Sequence, residues 1–343
     1  MTSDGVMARG VRTVDVHSHV LPMEMVEAIR SRPRDYRMSV EGSGEREIFI
    51  RDDRHSTPVY AEFHDAAAKA AAMDRMGIDL AVISVTPVVF FYWLDADAGL
   101  AAARLLNDGI ARMVAAQPER LRGMATLPMQ DPDAAVTELE RAVTAHGFRA
   151  VELGCRVRGE LLAEPRFRPV LRRAQELGVF VFAHPYVEGR LPADLGCFHL
   201  GNLAGLPFDT ALMAAHLMFG GALDELPRLR IVLAHGGGHL PYQIGRLEQG
   251  YRVRKEARAH TRNSPLELLR RFHFDALTHD ADALRFLVAK VGAERVTIGT
   301  DAPFDMAEVD PVAMINALPV TKQQRERILG LNALELLGEE VKQ

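Results

Sequence analysis

Val14-Asp15-Val16-His17-Ser18-His19 begins as a short apolar run and ends on two histidines one residue apart. Such a run reads as a strand. The period-two geometry of a strand sends both imidazoles to one face, where a single metal ion can take both. Three later stretches share the design: Val179-Phe180-Val181-Phe182-Ala183-His184, Arg230-Ile231-Val232-Leu233-Ala234-His235 and Val296-Thr297-Ile298-Gly299-Thr300-Asp301. Each is a buried-type strand with a His or an Asp where the apolar run stops. Four strand ends that deliver four imidazoles and one carboxylate point to a metal site, and so to an enzyme.

Further strand-like runs lie at 80–85, 121–126 and 148–153, with a weaker one at 272–277. The total is about eight, the number that closes a parallel barrel. Amphipathic runs of helical period lie between them at 66–76, 99–116, 132–146, 165–177 and 282–291. Pro132 and Pro165 stand at helix starts, where a missing N–H costs nothing. The alternation predicts an α/β protein, a (β/α)8 TIM barrel with a small insertion after the first strand; a doubly wound open sheet is the alternative. Residues 30–62, rich in Arg, Asp and Glu, form that insertion, a β-ribbon or cap over the barrel mouth. Residues 186–206 form a second mouth loop. No repeat or linker divides the chain, so 1–343 is expected to be one barrel domain.

With 343 residues, 48% of them hydrophobic, the chain can bury a large core. A net charge of −5 gives no basic surface for nucleic acid. Two cysteines, Cys155 and Cys197, are too few for a disulfide framework and fit a reducing compartment. The first ten residues have no apolar signal core, and no run approaches the ~20 apolar residues of a membrane-spanning helix. A cytoplasmic protein without membrane attachment is expected.

Neutral imidazoles plus one carboxylate suit zinc best, with Mn2+, Fe2+ or Co2+ as alternatives. If His17, His19, His184 and Asp301 are the ligands, one position stays open for water, as catalysis requires. His235 is then either a fifth ligand or the general base, and its place beside an activated water favours the base. Gly236, Gly237 and Gly238 let backbone and substrate approach it closely. Two-metal barrels need a bridging ligand at the fourth strand, commonly a carboxylated lysine. That strand ends Glu152-Leu153-Gly154-Cys155 and no lysine falls at a strand end, so one metal per subunit is expected, although Glu152 can substitute.

Val14 to His19, Ala234-His235-Gly236-Gly237-Gly238 and Ile298-Gly299-Thr300-Asp301-Ala302-Pro303-Phe304 resemble the amidohydrolase superfamily. Thr86-Pro87-Val88-Val89-Phe90-Phe91-Tyr92-Trp93, Thr126-Leu127-Pro128-Met129-Gln130, Gly205-Leu206-Pro207-Phe208-Asp209-Thr210 and Asp275-Ala276-Leu277-Thr278-His279-Asp280 resemble its decarboxylases, typified by α-amino-β-carboxymuconate-ε-semialdehyde decarboxylase. The resemblance spans about residues 12–338. It implies a mononuclear zinc (β/α)8 enzyme that removes a carboxylate without pyridoxal phosphate or thiamine. By position, it implies His17, His19, His184 and Asp301 as ligands and His235 as the residue that activates water. It also implies that Arg246 reaches into a neighbouring subunit's pocket to hold a substrate carboxylate, which makes a homodimer the active form. Arg51 is the candidate carboxylate clamp within the subunit.

The chain departs from the prototype at the mouth. Tyr186 replaces a Trp, His239-Leu240 replaces a small residue and Phe, and the insertion differs. Mouth loops choose the substrate, so these changes bear on the substrate more than on the chemistry. Phe91 and Trp93 are candidate pocket walls together with Tyr186. His279 either orients Asp301 or is structural, and His239 is structural or stands behind the ligands. His55, His64, His146, His199, His216, His260 and His273 are expected to carry no chemistry, and Cys155 to be a small hydrophobe. The implied reaction is metal-dependent, non-oxidative decarboxylation of an aminocarboxymuconate semialdehyde or a hydroxylated aromatic acid, with His235 and Asp301 managing the protons. The alternatives are hydrolysis of a lactone or cyclic amide, or hydration of an unsaturated dicarboxylic acid, because all use the same activated water.

Overall fold

All eight expected strands are present in the computed structural model, which describes residues 11–42, 48–51, 56–187 and 194–339. They are β1 (Val14–Val20), β2 (Leu80–Val85), β3 (Leu121–Ala125), β4 (Ala150–Gly154), β5 (Phe180–His184), β6 (Ile231–Leu233), β7 (Phe272–Asp275) and β8 (Val296–Thr297). They pair in chain order and in parallel. Parallel bridges from Asp15 to Ile298 and from Ser18 to Ala302 join the last strand to the first. The sheet is therefore a closed barrel, and the open-sheet alternative, which leaves two free edges, is excluded.

The helices follow in alternation. They are α1 (Ala66–Met76), α2 (Ala96–Ala116), α3 (Pro132–His146), α4 (Arg168–Leu177), α5 (Leu206–Phe219), α6 (Leu240–Val253), α7 (Ala281–Val291) and α8 (Asn332–Leu337). Side chains of Asp65, Asp95, Asp131 and Asp280 accept the free N–H groups that open α1, α2, α3 and α7. Helix α5 was not legible from periodicity, for it is apolar nearly all round: Leu206, Ala211, Leu212, Met213, Ala214, Leu217 and Met218 leave no polar stripe.

Strand residues divide by parity, as a barrel wall requires. Leu80, Val82, Met124, Ala150, Phe180, Phe182 and Val232 form one buried cluster. Their neighbours Ala81, Ile83, Val151, Val181, Ala183, Ile231 and Leu233 join the larger cluster that includes the helices. The insertion after β1 folds into short helices and three antiparallel strands, Met38–Glu41, Ile48–Arg51 and Ser56–Pro58. This is the expected β-ribbon, one strand wider. No helix among the described residues is long and apolar enough to cross a membrane.

The C-terminal turn before α8 lies against the start of β1, where a Cβ added at Gly330 would overlap the carbonyl oxygen of Arg12. Both partners are backbone, so neither yields. Gly330→Ala is expected to destabilise the protein by about 1–3 kcal/mol, read as a lower midpoint in thermal or urea unfolding. An unchanged midpoint would show that the seam is loosely packed.

Candidate metal centre

The barrel brings four side chains from three strand ends to one point. His17 and His19 come from β1 and His184 is the last residue of β5, while Asp301 stands in the loop just after β8. One ligand atom from each lies within 4.8 Å of the other three, and all four residues are buried. His17 Nε2 and His19 Nε2 are 3.1 Å apart, and Asp301 Oδ1 is 3.2 Å from the first and 3.0 Å from the second.

Each imidazole is held from behind, so that its Nε2 faces the group. His19 Nδ1 lies 3.0 Å from the Val85 carbonyl oxygen, and His184 Nδ1 lies 2.6 Å from that of Pro185. His17 Nδ1 lies 2.7 Å from Asp275 Oδ2. A donor on Nδ1 leaves a lone pair on Nε2, which is how ligand histidines are oriented. His184 Nε2 is buried with no hydrogen-bond partner among the described residues. An orphaned buried nitrogen beside two crowded ones and a carboxylate fits a divalent cation.

The charges agree. Burial pushes the pKa of His19 down, and that of His184 far down, so both are neutral. Burial also opposes charge on His17, but Asp301 and Asp275 outweigh it and raise its pKa to about 10. Burial would raise Asp301, yet the charge of His17 and the hydrogen bond it donates hold it well below the usual carboxylate range. With no cation bound, the site thus keeps one proton on His17 in place of a metal's charge.

His235 begins the turn after β6 and adjoins the four without joining them. Its Nε2 is 3.6 Å from Asp301 Oδ2, and its ring centre is 5.2 Å from that of His17. The backbone there is left-handed at His235 (φ 57°), Gly236 (61°), Gly237 (75°) and Gly238 (61°). Glycine is required at 238, where a Cβ would overlap the Pro207 carbonyl oxygen.

Glu152 in β4 is not one of the four; it lies 3.9 Å from His19 Nδ1, and burial raises its pKa well above normal. Lys69, in α1, is buried and donates to the backbone oxygens of His19 at 2.8 Å and Ala302 at 3.1 Å, fastening β1 to the loop of Asp301.

A cavity of about 480 Å³ opens above the group and is lined by His184, His235, Asp301, Tyr186, Pro58 and Tyr60, among others. Tyr186 is thus one of the residues that line it. Phe91 and Trp93 do not line it. Phe91 is buried against Tyr36 and Trp93, and the Trp93 indole donates to the Tyr36 carbonyl. Strand periodicity ends at Val85, and a 3₁₀ turn followed by a left-handed Phe91 redirects the chain. Phe90 and Tyr92 pack on Tyr186 instead, so the aromatic run supports the wall from behind.

Arg51 ends the middle strand of the insertion, paired with Met38, and its side chain lies outside the described residues, as does His55. Arg246 is exposed on α6 and makes no ion pair among the described residues. His279 is exposed, and His239 stacks on Phe208. His199, expected to be idle, lines the cavity. The missed residues are Asp275, Lys69 and Asp15. Asp275 had a signal, since Phe272-His273-Phe274-Asp275 also ends an apolar run on a ligand-type residue.

A family model described as Amidohydrolase matches residues 14–338. The chain is 33% identical over 332 residues to 2-amino-3-carboxymuconate-6-semialdehyde decarboxylase of Dictyostelium discoideum, spanning 95% of this chain and 91% of that one. It is 30% identical over 291 residues to gamma-resorcylate decarboxylase of Rhizobium sp. (strain MTP-10005), spanning 77% and 84%. The solved 5-carboxyvanillate decarboxylase of Novosphingobium aromaticivorans, complexed with manganese, shares the fold, with a TM-score of 0.82 at 22% identity over 96% of each chain.

The His17 proton gives a test. Because its folded pKa, about 10, exceeds its ordinary 6.5, the protonated form stabilises the metal-free fold fully below 6.5 and loses that effect as pH rises through about 10. A cation that takes Nε2 must displace this proton, while His19, His184 and Asp301 need lose none. Affinity for a divalent cation is therefore expected to rise roughly tenfold per pH unit between about pH 7 and 9, measured by chelator competition. A flat profile would remove His17 from the ligand set.

Proposed function

The chain belongs to the amidohydrolase family, and we propose that it works there as a metal-dependent, non-oxidative decarboxylase of an aminocarboxymuconate semialdehyde or a hydroxylated aromatic acid. The observation that carries this is the convergence of three Nε2 atoms and one carboxylate at the floor of a substrate-sized cavity, with His235 beside them. Relatives named as decarboxylases favour it over a hydrolase or a hydratase.

His17, His19, His184 and Asp301 would hold the ion. A divalent cation there supplies a Lewis acid that polarises the substrate's oxygens and lowers the pKa of water toward ~7. His235 takes a proton from water at Nε2, and Asp301 Oδ2, 3.6 Å away, steadies the resulting imidazolium. The bond from carbon to carboxylate breaks, its electron pair takes up that proton, CO2 leaves, and the hydroxide left from the water regains a proton from solvent, so no oxidant is consumed. Tyr186 stands at the cavity wall as a substrate contact, braced by Phe90 and Tyr92, while Phe91 and Trp93 pack with Tyr36.

Zinc, one per subunit, is the ion that three imidazoles and a carboxylate suit best. Arg51 is the carboxylate clamp within the subunit. Arg246, exposed on α6 four residues from the 76% exposed Tyr242, extends toward the pocket of a second copy. A homodimer in the cytoplasm completes the reading, the latter in keeping with a chain of only two cysteines.

The zinc-loaded protein is expected to release CO2 from carboxymuconate semialdehydes or hydroxybenzoates, and to stop when a chelator removes the metal. Ring opening of a lactone without CO2 from any acid would move the assignment to the hydrolase. His235→Ala is expected to retain its zinc and lose about 10²–10⁴ in kcat; undiminished kcat would end its role as base.

A further inference from the structure

Asp275 closes β7, is fully buried, and receives four N–H groups on one carboxylate. Oδ2 accepts from His17 Nδ1 at 2.7 Å and from the backbone N–H of His235 at 3.0 Å. Oδ1 accepts from the backbone N–H groups of Gly236 at 2.7 Å and Leu277 at 3.3 Å. One oxygen atom therefore serves both a histidine of the metal group and the backbone of the residue next to it.

We infer that Asp275 is a positioning residue that ties the metal site to the general base: it holds the His17 proton on Nδ1, leaving Nε2 for the cation, and it seats the turn that aims His235 at Asp301. This rests on the assignment of His17 as ligand and His235 as base. The turn needs such support. A left-handed non-glycine residue costs about 1–2 kcal/mol, and His235 is one, with φ 57°. Consecutive N–H groups at 235 and 236 converge in this turn as in an anion-binding nest, and the carboxylate fills it.

A carboxylate suits this place because both of its oxygens only accept. An amide of the same shape cannot serve all four donors. If its NH2 faces His17, Nδ1 must turn acceptor, which moves the imidazole proton to Nε2 and blocks the ligand position; the same NH2 also meets the His235 N–H. If it faces the other way, it meets the N–H groups of Gly236 and Leu277 and displaces the turn. Both orientations disturb His235 and both weaken the hold on His17, the first by turning Nδ1 into an acceptor and the second by removing the negative charge that keeps its proton there.

Asp275→Asn in the full chain tests this with zinc affinity by chelator competition, kcat at saturating zinc, and the melting temperature. The expected result is zinc affinity weaker by about 10–100-fold, with kcat at saturation also reduced at least about tenfold. Loss of stability alone, with affinity and kcat unchanged, overturns the proposal, and so does a fall in only one of the two. Should the variant not fold, nitrogen-15 NMR of histidine-labelled, zinc-loaded wild-type protein decides: a proton on His17 Nδ1 is expected, and its absence overturns the role. Wild-type protein that binds no zinc overturns the metal assignment as well, whereas zinc binding with an unaffected variant overturns the positioning role alone.

Discussion

The seam where the last strand meets the first is the constraint on which the centre depends. Asp15, fully buried in β1, accepts from the His17 N–H at 2.9 Å, from the Thr300 N–H at 3.1 Å and from Thr300 Oγ1 at 2.6 Å. The His17 carbonyl in turn accepts from the Asp301 N–H at 2.8 Å. These bonds join residues about 285 positions apart in the chain, and they put the Asp301 carboxylate over the two imidazoles of β1. Lys69 adds a cross-tie to the same two segments from α1. Without ring closure, His17 and Asp301 would lie on opposite edges of a sheet.

Buried polar groups are costly unless each is given a partner, and here the partners are arranged in a consistent direction. Backbone carbonyls and Asp275 occupy the Nδ1 side of the three imidazoles, so the unmet demand is concentrated on the Nε2 side. Burial holds the pKa of the Glu152 carboxyl well above normal. The four residues together offer the ligands of a divalent cation. His235, with 20% of its side chain exposed, lines the cavity beside His184 and Asp301.

The mouth is built by different means. Its walls come from the insertion after β1, from the segment after β5 and from Pro87 and Val88 beyond β2. These segments have no period, and their side chains are directed by turns, by positive φ at Phe91, Phe198 and His199, and by packing between aromatic rings. Loops held by a rigid scaffold in this way are where binding residues concentrate in barrels. The same scaffold can keep the chemistry while the substrate changes.

The eight strands, five of the helices, the place of the insertion and the four convergent ligand residues were all legible in the chain. Apolar runs with one polar terminus are a local property of a strand, and a barrel gathers all such termini at one rim. The apolar helix α5 was hidden because burial on every side erases the periodic signal. Asp275 was passed over because its strand is interrupted by His273, although the same pattern of apolar run and terminal ligand is present. Phe91 and Trp93 were misplaced because they lie past the strand end, where alternation no longer gives direction. By itself, then, the sequence determined which residues stand at the strand ends and what chemistry they carry. Only the tertiary structure decided which nitrogen of each imidazole faces inward, which aromatic rings reach the cavity, and that one buried carboxylate serves two histidines at once. Those depend on hydrogen bonds and packing that the closed barrel brings about, as between His17 and Asp275, 258 positions apart, and strand periodicity does not record them.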